Sequence, residues 1–112
     1  EQKKSGQPLT VDPDGTRRRD FTHVRDVVAA NLRAMESDRV GRGEIVNIGT
    51  GRNYSVREAA DLIGGPSVFT EPRVEPRETL AGISLAKKLL GWEPGVRFDD
   101  GIAELKQLHG IA

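Results

Sequence analysis

Glycine and proline constrain this chain more than any other feature. Thirteen glycines and six prolines interrupt 112 residues, so no regular element can run long before a turn signal stops it. What remains between the interruptions is a set of short segments with two distinct periods. Pro8-Leu9-Thr10-Val11 reads as a short strand, bounded by Gly6 and by the turn Asp12-Pro13-Asp14-Gly15. Val24, Val27, Val28, Asn31, Leu32 and Met35 fall on one stripe of a 3.6-residue period, capped by Thr22 or His23. Glu44-Ile45-Val46-Asn47-Ile48 reads as a strand apolar enough to be buried on both faces. Ser55-Val56-Arg57-Glu58 has capping-box spacing and opens a helix that ends at Gly64-Gly65. Residues 67–70 form a further strand candidate and 72–76 a loop. Ser84 caps a short helix stopped by Gly91, beside which the single tryptophan, Trp92, is expected to pack. Asp99 or Asp100 opens a last helix with Ile102, Leu105 and Leu108 on one face. The expectation is an α/β fold in which short strands alternate with about four helices.

Composition excludes several functions. Lys+Arg and Asp+Glu both number 17, so no net field draws the chain to nucleic acid or to an acidic membrane. A nucleic-acid binder also needs stacking rings, and aromatic residues make up 4%. No apolar run is long enough to cross a bilayer. Cysteine is absent and the two histidines, His23 and His109, lie far apart, which excludes thiolate metal sites and disulfides and fits a cytoplasmic protein. Glu1-Gln2-Lys3-Lys4 reads as a helix end stopped by Ser5-Gly6, and there is no initiator methionine. Both point to a fragment.

Gly49-Thr50-Gly51 follows a strand candidate and precedes a helix, the setting of a dinucleotide fingerprint. Its third glycine position is Tyr54, so a tight strand-to-helix turn is the expected use. Tyr54 is the only tyrosine, and Glu58, not lysine, stands four residues on. A Tyr-x-x-x-Lys catalytic pair is therefore missing. Arg17-Arg18-Arg19 is the remaining constellation. In an extended segment Arg17 and Arg19 share one face and Arg18 takes the other. Two guanidinium forks on one face suit a phosphate; a solvated charged loop is the alternative.

Three runs carry a family resemblance: residues 7–28, QPLTVDPDGTRRRDFTHVRDVV; residues 43–51, GEIVNIGTG, followed by Tyr54-Ser55-Val56; and residues 76–94, PRETLAGISLAKKLLGWEP. In this order they resemble the C-terminal portion of extended short-chain dehydrogenases of the nucleotide-sugar epimerase/dehydratase type, UDP-glucose 4-epimerase-like enzymes above all. The resemblance implies a Rossmann-type parent that holds NAD in an N-terminal domain not represented in residues 1–112. It implies a homodimer, and for this stretch the binding of a nucleoside-diphosphate sugar without NAD. It assigns the phosphate or ribose contact to Arg19 and a second nucleotide contact to Arg73, with Arg77 as the alternative register. Leu9, Thr10 and Asp12 fall beside the base and Thr79 near the ribose. It also implies that the 45–48 strand joins the parent's large sheet, with the 24–35 helix beside it. Asp12 and Pro13 replace a usual aromatic and glycine, Arg18 a smaller residue, and Gly82 a usual aspartate; the loop between Ile63 and Arg73 is shorter. A 4,6-dehydratase parent and a non-catalytic nucleotide-binding module are the competing readings.

Overall fold

A computed structural model describes all of residues 1–112. Its elements are β1 (Leu9–Val11), a 3-10 turn (Pro13–Gly15), β2 (Arg18–Arg19), α1 (Val24–Glu36), β3 (Tyr54–Ser55), α2 (Val56–Ile63), β4 (Ser67–Phe69), α3 (Ser84–Leu90) and α4 (Phe98–Leu108). The mixed α/β class and the four helices agree with the sequence reading. The chain divides into two compact units: one of Glu1–Arg19, Tyr54–Thr79 and Asp99–Ala112, the other of Asp20–Asn53 and Leu80–Phe98.

The first unit is built on two short ladders. β1 pairs in parallel with β4, Leu9 opposite Ser67 and Val11 opposite Phe69, and Leu9 and Val11 turn inward. β2 pairs antiparallel with β3, Arg18 opposite Ser55 and Arg19 opposite Tyr54. On its other edge Arg18 donates to the Arg77 carbonyl at 3.0 Å and accepts from the Thr79 amide at 3.1 Å. Residues 77–79 thus extend the β2–β3 pair by a parallel bridge. The predicted capping box at α2 is present in full: Glu58 N–H donates to Ser55 Oγ at 3.0 Å, and Ser55 N–H donates to Glu58 Oε2 at 2.6 Å. At the chain start, Gln7 N–H bonds the Gln2 carbonyl, Gly6 N–H bonds the Lys3 carbonyl, and Gly6 has φ +73°. That is the Schellman pattern of a helix C-terminus, as the first six residues predicted.

The second unit gathers Ala30, Ala86, Leu90 and Trp92 into a core, with Val46, Ile48, Ile83 and Leu89 against it. Trp92 is 2% exposed and donates from Nε1 to the Asp26 carbonyl at 3.0 Å. The Asp26 carboxylate, also buried, accepts from the Gly95 and Val96 amides at 2.9 and 3.1 Å. α1 is therefore stitched to the 92–96 segment by one charged residue. His23 caps the helix, its Nδ1 accepting from the Arg25 amide at 3.1 Å.

Two local expectations need correction, at residues 44–48 and at Ser84. Residues 44–48 form no strand. Ile45 is 86% exposed, and no backbone ladder reaches the segment. Apolar composition records a preference for burial, whereas a strand exists only where a neighbour supplies the other half of its hydrogen bonds. The apolar stripe of α1 is uncovered, in keeping with its implied place beside the parent's large sheet: Val24, Val28, Leu32 and Met35 are exposed, Met35 at 81%, while Asp26 and Ala30 are buried. Small residues let α1 approach Trp92 and α3 closely, which leaves the large side chains uncovered. Finally, Ser84 is the first helical residue of α3, and its cap position falls to Ile83 with no side-chain bond.

Candidate functional site

The arginine triplet lies in the first unit, where β2 alternates its side chains between faces as a strand must. Arg18 turns to α2 and pairs with Glu58 at 3.3 Å. Arg17 and Arg19 turn the other way and meet the same oxygen, Glu75 Oε2, at 3.5 and 3.2 Å. Each is anchored independently of Glu75. Arg17 Nε lies 3.3 Å from Asp12 Oδ2, and its Nη2 donates to the Arg73 carbonyl. Arg19 Nη1 donates to the Arg18 carbonyl at 2.8 Å. The shared face predicted from spacing is present, and it already holds a carboxylate.

Of the other residues singled out, Thr79 is bonded through its amide to the Arg18 carbonyl, so its backbone lies against β2 beside Arg19. Arg73 contributes its carbonyl to Arg17, and its own side chain is exposed. Arg77 holds Arg18 through its carbonyl and lies near enough to Asp14 to lower that carboxyl's pKa, behind the larger effect of the Thr16 side chain. Leu9 points into the unit and offers only backbone to a ligand. Thr10 faces out; its amide donates to Gln2 Oε1 at 3.2 Å, and its Oγ1 accepts from Gln2 Nε2 at 2.9 Å. Asp12 turns to Arg17, and both its carboxylate oxygens are buried without a hydrogen-bond donor, held by charge alone.

Sequence reasoning missed Glu75 and Gln2, which occupy the two polar edges the predicted site offers. Neither carries a local signal, because each is 8 or more residues from its partner.

The glycine turn does not fit a dinucleotide. Its amides converge on an anion, but the anion is internal: Asp20 accepts from Thr50 N–H at 2.9 Å, Thr50 Oγ1 at 2.6 Å, Gly51 N–H at 3.0 Å and Ala81 N–H at 3.2 Å. A pyrophosphate would have to evict a carboxylate with four donors. A Cβ at Gly49 would collide with the Ala81 Cβ, so this glycine serves close packing inside the protein.

Comparison with known proteins identifies the family. The model of the NAD-dependent epimerase/dehydratase family matches residues 1–49. UDP-glucuronic acid decarboxylase 6 of Arabidopsis thaliana is 33% identical over 91% of the chain, and UDP-glucose 4-epimerase of Corynebacterium glutamicum is 36% identical over 73% of it. Among solved structures, the Thermotoga maritima UDP-glucose 4-epimerase with UDP-glucose superposes with a TM-score of 0.80 at 36% identity, over 90% of this chain and 34% of that one. The Bacillus cereus UDP-glucuronic acid 4-epimerase in complex with UDP-glucuronic acid and NAD gives 0.84 at 32% identity, over 96% and 38%. The chain belongs to the NAD-dependent epimerase/dehydratase family of extended short-chain dehydrogenases. It spans 31% and 27% of the length of the two curated relatives. No helix is long and apolar enough to cross a membrane.

Proposed function

We propose that residues 1–112 are the C-terminal nucleotide-sugar-binding portion of a cytoplasmic, homodimeric enzyme. Its N-terminal Rossmann domain, outside this stretch, holds NAD, and its activity is that of a UDP-glucose 4-epimerase-like enzyme. The observation that carries this reading is the pair Arg17 and Arg19, two anchored guanidiniums on one face that meet at a single anionic position. Forks of this kind bind phosphate oxygens with both geometry and charge. Thr79 on the adjacent 77–79 segment, and the outward amide of Thr10, supply neutral polar groups of the type a ribose and a base require. A UDP-sugar is the ligand class, since the relatives are named for UDP-glucose and UDP-glucuronic acid.

In the full-length enzyme NAD would supply transient oxidation of the sugar. This stretch would bind and orient the substrate, and it contributes no Tyr-x-x-x-Lys pair. Substrate titration of the full-length enzyme tests the assignment. Arg19→Ala is expected to weaken UDP-glucose binding by about 1.5–3 kcal/mol, the range for hydrogen bonds to a charged group. Arg18→Ala, on the opposite face, should cost less. Equal losses at both positions would show a diffuse charge effect and remove Arg19 from the site.

A further inference from the structure

We propose that Glu75 is a displaceable internal competitor for the anion seat on Arg17 and Arg19, so that ligand phosphate binds by evicting it. The inference rests on the nucleotide-binding reading of that pair and adds a regulator to it.

Four observations converge. One Glu75 oxygen serves both guanidiniums, at 3.5 Å from Arg17 Nη1 and 3.2 Å from Arg19 Nη2. The fit is incomplete, because only Arg19 gains a hydrogen bond, while Arg17 Nη1 is buried and has no hydrogen-bond acceptor. An unsatisfied donor aimed at an anion seat favours a ligand with more oxygens than one carboxylate offers. The arginine side chains are 19% and 25% exposed and are held by Asp12 and by backbone carbonyls, whereas the Glu75 side chain is 45% exposed. Removing Glu75 therefore leaves the seat standing, and its carboxylate needs only to swing into water. Lastly, Arg17, Arg19, Asp12 and Glu75 sum to zero charge; with Glu75 withdrawn the seat carries +1, the sign a diphosphate seeks. Glu75 stands on the 72–76 loop, which has no regular structure of its own, so its departure breaks no helix and no ladder.

Titration calorimetry of the full-length enzyme with inorganic pyrophosphate at about 0.15 M ionic strength, where exposed charges farther apart than about 8 Å are largely screened, tests this. Glu75→Gln removes the competing charge and is expected to tighten pyrophosphate binding about three- to fivefold, the upper range for a partly exposed ion pair. Glu71→Gln removes the same charge from the same segment, with no contact to the arginines, and is expected to change affinity less than about twofold at one charge's distance. Arg19→Gln is expected to weaken binding about tenfold or more. Unchanged affinity in Glu75→Gln alongside a loss in Arg19→Gln would overturn the competitor and leave the seat. Equal gains in Glu75→Gln and Glu71→Gln would overturn it as a general field effect. An Arg19→Gln variant that binds like the parent, or no binding by any variant, would overturn the seat and the competitor together.

Discussion

The two units spend charge in opposite ways. In the second unit a carboxylate is buried and fully employed: Asp26 is 6% exposed and ties two loop amides to α1 beside Trp92. In the first, charges meet charges near the surface, with Arg17, Arg18 and Arg19 each facing an acid that keeps substantial access to water or lacks hydrogen bonds. The first arrangement makes structure, since a desolvated carboxylate with good donors resists exchange. The second leaves its charges exchangeable, since a half-exposed ion pair is worth little, and it is there that the proposed site lies.

That contrast breaks most sharply at Trp92. Trp92→Ala removes the largest member of the second unit's core and is expected to cost about 3–5 kcal/mol. Hydrogen exchange should report the loss in α1 and α3 amides, and a uniform loss including α2 would contradict the division. Asp26→Ala is expected to cost about 1.5–3 kcal/mol, as it strands the Gly95 and Val96 amides. Urea melts with an unchanged slope would identify this as lost bonding. The uncovered α1 stripe gives a prediction about association. Val24, Val28, Leu32 and Met35 are exposed together, and contiguous apolar surface drives self-association. The isolated chain is expected to dimerise or aggregate at tens of micromolar, and Leu32→Glu with Met35→Glu should shift sedimentation towards monomer without lowering the melting temperature. Ser55→Ala, in the first unit, is expected to cost about 1 kcal/mol through its lost cap, with α2 amides alone losing protection.

The smallest effect is a pH dependence. The Ser55 amide, more than Arg18, holds the Glu58 carboxyl below its ordinary value of 4.5. A depressed folded-state pKa means this contribution is present above about pH 4.5 and fades as pH falls through the folded value. Glu58→Gln keeps an acceptor for the Ser55 amide and removes the titration, so the acid limb of stability between pH 5 and 3 should flatten slightly, the variant lying a little below the parent above about pH 4.5 and converging with it as pH falls. An unchanged acid limb would assign the sensitivity to Asp14 or Glu44, whose carboxyls are lowered by their own local bonds.

Local rules carried the sequence reading where partners lie within a few residues. The Ser55–Glu58 box, the His23 cap, the Gly91 stop with its left-handed φ of +60°, and the Gly6 terminus all formed, because each satisfies bonds inside its own turn. The opposite faces of Arg17/Arg19 and Arg18 followed from strand alternation alone. What lay beyond reach depended on partners far along the chain. The 44–48 segment has strand composition, yet no neighbour pairs with it; α1 has a clear apolar stripe, yet the unit's core chose the Asp26–Ala30 side because a small residue and a carboxylate fit against Trp92 and the 92–96 amides. The Gly49–Gly51 turn was expected only as a tight connection, and it also cradles an anion, Asp20 from 30 residues away. Glu75, 56 residues from Arg19, completes the same lesson. Sequence by itself determined the caps, the turn positions, the face each arginine takes and the family. Tertiary structure alone decided which apolar face is covered and which carboxylate sits on which donor, because burial and ion pairing belong to pairs of segments and no single segment encodes its partner.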